Sequence, residues 1–192
     1  MSEWICANVA WRLGIPVPAC DILRLEPKQF EMWRRCHGED LPQLVTAANP
    51  FVFASTNVEN AKDVADVDKD CALDDPKQLG RICLFDELVR NTDRTDYNSN
   101  LLVNGGIHVI DHNNAFDPAF DRETFAREHV LRKFRQCLTA EDVAEFRAFV
   151  RRSITETFVD EVWCQMPMEW TDVGNDVLPP ETVKEILLEG AE

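Results

Sequence analysis

Positive charge is scarce in this chain. Twenty Lys and Arg stand against 35 Asp and Glu, for a formal net charge of −15. That balance argues against a nucleic-acid groove, which needs clustered cations, and against adsorption to an anionic membrane surface. No basic segment followed by an apolar run opens the sequence. No stretch approaches the roughly 20 apolar residues of a membrane span, so the expected location is cytoplasmic. The seven cysteines are odd in number, widely spaced and contain no C-x-x-C, which argues against a zinc or dithiol site and fits reduced thiols. The seven glycines are scattered apart from Gly105-Gly106, and no G-x-G-x-x-G occurs. There is no internal repeat and no low-complexity tract.

Apolar side chains are plentiful: 45% of 192 residues, with eleven Phe and five Trp, enough to bury a core in one domain. Residues 3–13 predict a short amphipathic helix stopped by Gly14, with Trp4, Ile5, Val9 and Leu13 for packing. Val17 to Leu25 reads as a strand after Pro16 and Pro18. Pro27 opens a helix to about Arg35. Residues 54–75 are polar and acid-rich and are expected to form a mobile loop. Asp75-Pro76 caps a core helix to about Arg90, and another helix is expected from Arg122 to Phe134. Thr139 and Asp142 make a capping-box-like start for a helix carrying Val143, Phe146, Val150, Ile154 and Phe158. Trp163, Met166, Met168 and Trp170 surround Pro167, and Pro179-Pro180 opens a last short helix with Val183, Ile186 and Leu187.

The chemistry concentrates between Arg90 and His112. Asp93 to Asn98 is a D-x-x-x-x-N step, the spacing of the catalytic-loop Asp and Asn of protein kinases. Two β-prone runs follow, Leu101-Leu102-Val103 and Ile107-His108-Val109-Ile110, around Asn104-Gly105-Gly106, a strong hairpin signal. With Asn104 and Gly105 as the two turn residues, Asn98 lies opposite Asp111 on one face. A looser turn centred on Gly105-Gly106 opposes Asn100 to Asp111 instead. Either register sets an amide beside a carboxylate, where a cation could bridge them. The competing reading is a plain polar turn between a helix and a hairpin.

Asn91-Thr92-Asp93-Arg94-Thr95, Asn98, Asn100-Leu101-Leu102 and Ile110-Asp111-His112 together resemble the catalytic core of HipA-like kinases, most closely a branch labelled phosphatidylinositol-kinase-related. Glu3-Trp4-Ile5-Cys6 and Leu13-Gly14-Ile15-Pro16-Val17-Pro18 are similar to the αC-like helix and following strand of that branch. The resemblance covers about residues 2–135. It implies an ATP- and Mg²⁺-dependent transfer of phosphate to a hydroxyl, with Asp93 as catalytic base and Asn98 and Asp111 as metal ligands. It also implies that Glu3 is the helix glutamate that pairs with an ATP-binding lysine, that Arg94 shapes the loop or pairs with an acidic neighbour, and that His112 hydrogen-bonds within its loop. An acidic site makes dependence on a divalent cation a sharper expectation.

A kinase also carries a glycine-rich loop and a strand lysine before the αC helix. Neither is legible here: Lys28, Lys62, Lys69 and Lys77 sit in helical or polar stretches. The expected fold class is therefore α+β, a kinase-like C-terminal lobe that is mostly helical around a small hairpin carrying the site, with most of the N-lobe absent. The expected organisation is one domain. It comprises an αC-like helix and N-lobe remnant at 1–53, a mobile acidic loop at 54–75 and a helical C-lobe at 76–192. The expected partners are nucleotide and a separate N-lobe chain or a toxin–antitoxin-type protein. The alternative to an active kinase is a pseudokinase or split-kinase subunit that binds a partner through an apolar patch at Trp4, Ile5 and Val9.

Overall fold

The computed structural model describes residues 1–37, 49–64, 75–171 and 178–190. It opens with α1 (Ser2–Arg12), β1 (Cys20–Arg24), α2 (Pro27–His37), β2 (Phe51–Ser55) and β3 (Lys62–Asp63). Then come α3 (Pro76–Leu88), β4 (Leu101–Val103) and β5 (Ile107–Val109). Short helices complete it: α4 (Arg122–Glu128), α5 (Arg132–Arg135), α6 (Ala140–Ser153), α7 (Glu156–Cys164), α8 (Met168–Thr171) and α9 (Pro180–Glu189). The mixture is α+β, with two small antiparallel sheets, β1–β2 and β3–β4–β5.

α1 ends where sequence chemistry requires. Gly14 takes a left-handed φ of 69°, and the N–H of Ile15 returns to the carbonyl of Ala10 at 2.9 Å. The strand expected from Val17 begins only at Cys20, because Pro16 and Pro18 have no N–H to give a ladder. The carbonyl of Pro16 instead accepts from the N–H of Val109 at 2.7 Å, tying the connection to the edge of β5. β1 then pairs with β2 from Cys20↔Ser55 to Arg24↔Phe51.

The expected loop at 54–75 needs correction. Ala54 and Ser55 belong to β2, and Lys62 and Asp63 form β3 against Val103 and Leu102. Residues 65–74 lie outside the described residues.

α3 carries the site's framework. Asp75 caps it by accepting from the N–H groups of Lys77 and Gln78, both at 3.0 Å, and Pro76 occupies its first turn. Leu79, Ile82, Cys83, Phe85 and Leu88 are buried along it. They share an apolar cluster with Ile5, Cys6 and Val9 of α1, Leu101, Ile107 and Val109 of the hairpin, and Val183, Ile186 and Leu187 of α9. Arg90, just past the end of α3, takes a left-handed φ of 52°, and the N–H of Asn91 reaches back to the carbonyl of Asp86 at 2.9 Å. That stop ends the helix and starts the loop 91–100, whose Asn91 and Arg94 stay buried.

The apolar patch expected on α1 is not exposed. Ile5 and Val9 are buried, and Trp4 packs against the cluster with its indole N–H donating to the carbonyl of Val162 at 3.2 Å. α7 thus covers the face assigned to a partner.

Two long expected helices are each broken. The capping box at Thr139 and Asp142 forms as anticipated, but α6 stops at Ser153, and Thr155 starts α7 by accepting from the N–H of Phe158 at 3.2 Å. The segment expected to be helical from Arg122 to Phe134 breaks at His129, whose backbone is extended and bridges to Thr95. The cause is a buried polar contact of the His129 ring, described below.

Candidate functional site

The hairpin takes neither anticipated register. Leu101 pairs with Val109, Leu102 with His108 and Val103 with Ile107, so Asn104, Gly105 and Gly106 form a three-residue turn. Gly105 sits at φ 62°, which a glycine adopts without strain. Continuing this register would place Ser99, rather than Asn98 or Asn100, opposite Asp111. The ladder does not continue that far. The N–H of Ile110 makes a last bond to the carbonyl of Asn100 at 3.1 Å, and both Asn100 (φ 48°) and Asp111 (φ 56°) then turn left-handed. Asn and Asp tolerate that conformation better than other side-chain-bearing residues. These turns, not strand alternation, direct the polar side chains.

The outcome is two adjoining groups. In the first, Asp93 Oδ2 accepts from the Asn98 amide Nδ2 at 2.8 Å and from the Asn100 Nδ2 at 3.2 Å. An Asn98 amide that donates from Nδ2 turns its Oδ1 away from Asp93. In the second, Glu3 Oε1 accepts from the backbone N–H of His112 at 2.9 Å, and Glu3 Oε2 lies 3.7 Å from His112 Nδ1. The Glu3 and Asp111 carboxyls also lie close enough to shift each other's titration.

Electrostatics couple the groups. The Asp111 carboxyl is pushed above its ordinary value, first by burial and then by the negative charges of Glu3 and Asp93, against a bond from the N–H of Asn113. Burial would also raise Glu3, but hydrogen bonding from the His112 ring and backbone outweighs it and leaves Glu3 below its ordinary value.

Asp111, Glu3 and His112 line a cleft of about 330 Å³. Its walls are largely apolar, from Ala7, Val17, Phe53, Val58, Leu102 and Val109. Lys and Arg are absent from its lining among the described residues. Asp93 and Asn98 stand outside the lining, on the neighbouring loop. The lysine that the resemblance pairs with Glu3 has no counterpart there; Glu3 meets His112 and Asp111 instead. Among the described residues, no three His, Cys, Asp or Glu side chains converge to hold a metal by themselves.

Beneath the loops lies a network that sequence reasoning only partly anticipated. Arg94 is fully buried and pairs with an acidic neighbour, the fully buried Asp86, its Nε reaching Oδ2 at 2.7 Å. Its Nη1 donates to the carbonyls of Ser99 at 3.2 Å, of Ile110 at 3.3 Å and, at closer range, of Asn100. Its Nη2 faces Asp86 Oδ1 at 3.4 Å, the carbonyl of Ile110 at 3.3 Å and His112 Nε2 at 3.3 Å. Guanidinium only donates, so His112 accepts at Nε2 and presents Nδ1–H toward Glu3. Asp86 also accepts from Asn91 Nδ2 at 3.1 Å and His129 Nε2 at 2.9 Å. Burial would raise the Asp86 carboxyl, but Arg94 and His129 hold it well below the ordinary carboxylate range. Asp86 and His129 went unassigned in the sequence because Asp86 falls within an apolar helical stripe and His129 within an apparently continuous helix. A buried Asp inside such a stripe was the one available signal, since an unpaired carboxylate does not persist there.

The cysteines take no part. All six among the described residues are free, and burial raises the thiols of Cys6 and Cys83. No helix among the described residues is long and apolar enough to cross a membrane.

No curated protein and no solved structure matches the chain. The finer phosphatidylinositol-kinase-related assignment has no support from the family comparison, which stops at the broader group. A family model described as HipA-like kinase matches residues 1–188, nearly the whole length, and the chain belongs to that family.

Proposed function

We propose that this chain transfers the γ-phosphate of ATP to a hydroxyl acceptor on a kinase C-lobe-like framework. Asp93 accepts the acceptor's proton, and Asn98 and Asp111 hold Mg²⁺. One observation carries the reading. Asp111 lines an apolar-walled cleft, and it lies close enough to Asp93 for that residue's charge to raise its carboxyl.

The donor set fits the metal. Magnesium takes hard oxygen ligands and commonly uses one or two carboxylates together with substrate phosphates rather than an all-protein cage. Asp111 supplies a carboxylate, and Asn98 supplies an amide oxygen turned away from Asp93. With no Lys or Arg in the cleft lining among the described residues, Glu3 and Asp111 in the cleft and Asp93 beside it would be served by a bound cation. Bound there, Mg²⁺ would neutralise the charge that develops on the phosphates.

The residues themselves account for binding and orientation. Leu102, Val109 and Phe53 offer an apolar bed for a flat base. Two amide donors fix Asp93 through Oδ2, and its Oδ1 would take the acceptor's proton. The backbone N–H of His112 holds Glu3 in the cleft lining. General-base catalysis of this kind contributes about 10²–10⁴-fold. Release of ADP from Mg²⁺·ATP should therefore fall by about that factor in Asp93→Asn with the fold intact. Equal release by the two proteins would remove Asp93 as base.

The cation-free lining also favours a second reading: a pseudokinase or split-kinase subunit whose phosphate-binding lysine comes from a partner chain. In that case the isolated chain binds nucleotide without releasing ADP. Addition of a partner supplying a glycine-rich strand and a lysine would restore release.

A further inference from the structure

We propose that Asp86 and His129, neither of which lines the cleft, are positioning residues that set Asp93 and Asp111 relative to each other through Arg94. The inference rests on the phosphotransfer reading and adds the device that holds its two loops together.

The guanidinium of Arg94 is the joint. It donates to the carbonyls of Ser99 and Asn100 on the loop that carries Asp93 and Asn98. From Nη1 and Nη2 it also donates to the carbonyl of Ile110, immediately before Asp111. Asn100 and Asp111 both leave the ladder left-handed, so no strand hydrogen bond fixes their separation beyond Ile110. One planar group bonded to both carbonyl sets does so instead.

Asp86 and His129 fix the joint. Asp86 meets Arg94 at two points and is itself held by Asn91 Nδ2 and His129 Nε2. The backbone N–H of Leu131 donates to His129 Nδ1 at 3.1 Å, so the ring's proton resides on Nε2 and points at Asp86. The same segment grips the Arg94 backbone, since the N–H of Val130 donates to the carbonyl of Arg94 at 3.1 Å. Stability alone is a poor account of these bonds, because a buried ion pair is often no more stabilising than apolar groups of the same volume. Every free donor of Arg94 is aimed at the two loops or at His112.

The test follows Mn²⁺, as a probe of the Mg²⁺ site, binding with a non-hydrolysable ATP analogue, read by electron paramagnetic resonance below each variant's unfolding temperature. His129→Leu removes the donor to Asp86, whereas His129→Gln retains one. Arg94→Lys keeps a charge for Asp86 but cannot span three carbonyls. Outer partners of a metal site typically contribute about 10–100-fold to its affinity. His129→Leu and Arg94→Lys should weaken Mn²⁺ by about that factor, while His129→Gln keeps most of the wild-type affinity. Folded His129→Leu and Arg94→Lys binding Mn²⁺ like the wild type would overturn the proposal. If Arg94→Lys does not fold, the His129 pair decides, and equal losses in Leu and Gln would overturn it. A wild type that binds no Mn²⁺ with the analogue would overturn the phosphotransfer reading itself, which separates the two failures.

Discussion

His129 and Asp86, 43 residues apart in sequence, face each other at 2.9 Å in the interior, imidazole N–H to carboxylate. That single bond explains why the chain leaves helical geometry at His129. The extended backbone there swings the ring inward and frees Val130 and Leu131 to bond Arg94 and the ring itself. Asp86 also joins α3 to the loop that carries the proposed base, through its pair with Arg94.

Replacing Asp86 tests how far the interior depends on this carboxylate. Asp86→Asn leaves Arg94 buried without its counter-charge, a change that costs about 3–5 kcal/mol. The folded-state carboxyl is held below its ordinary value of 3.8, so its contribution is complete above that value and is lost as pH falls toward the folded-state value. The gap in melting temperature between wild type and variant should hold steady between about pH 5 and 8 and narrow below about pH 4. A gap that widened on acidification would contradict the assignment.

Thr139 tests the link between α3 and α6. Its hydroxyl accepts from the N–H of Asp142 at 3.1 Å, and Asp142 returns a bond to the Thr139 N–H at 2.9 Å while meeting Lys77 at 2.8 Å. Thr139→Ala should lower stability by about 1 kcal/mol in urea unfolding. Lys77→Met should change it by about 0–1 kcal/mol, because the Lys77 side chain is largely exposed.

Gly80 offers a change of opposite sign from its usual effect. Glycine to alanine inside a helix normally stabilises by about 1 kcal/mol. Here an added Cβ would stand 2.7 Å from Leu138 Cγ and 2.8 Å from the carbonyl oxygen of Phe134, and the carbonyl cannot swing aside as a side chain can. Gly80→Ala should therefore destabilise by about 1–3 kcal/mol in denaturant titration. A gain would mean that α3 and α5 pack less closely than described.

The sequence made the framework readable where local chemistry decides structure. Asp75-Pro76, Gly14 and the Thr139–Asp142 box each act within four residues, and each appears where expected. What escaped depends on non-local contacts. The hairpin turn has three residues rather than two, a difference that Asn104-Gly105-Gly106 leaves open because either turn suits those residues. The break at His129 answers a carboxylate 43 positions away, and no helical periodicity carries that information. The partner surface inferred for Trp4, Ile5 and Val9 failed because α7 supplies the cover from within the chain. At the candidate site, spacing and resemblance single out Asp93, Asn98 and Asp111, whereas the course of the two loops that carry them is set by left-handed turns at Asn100 and Asp111 and by Arg94.

Calorimetric titration with a non-hydrolysable ATP analogue, with and without Mg²⁺, on the wild type and Asp111→Ala tests the central claim most directly. The wild type should bind the analogue only with Mg²⁺, and the variant should lose that dependence. Equal binding by both proteins, or binding by the wild type that ignores Mg²⁺, would contradict a metal–nucleotide site at Asp111.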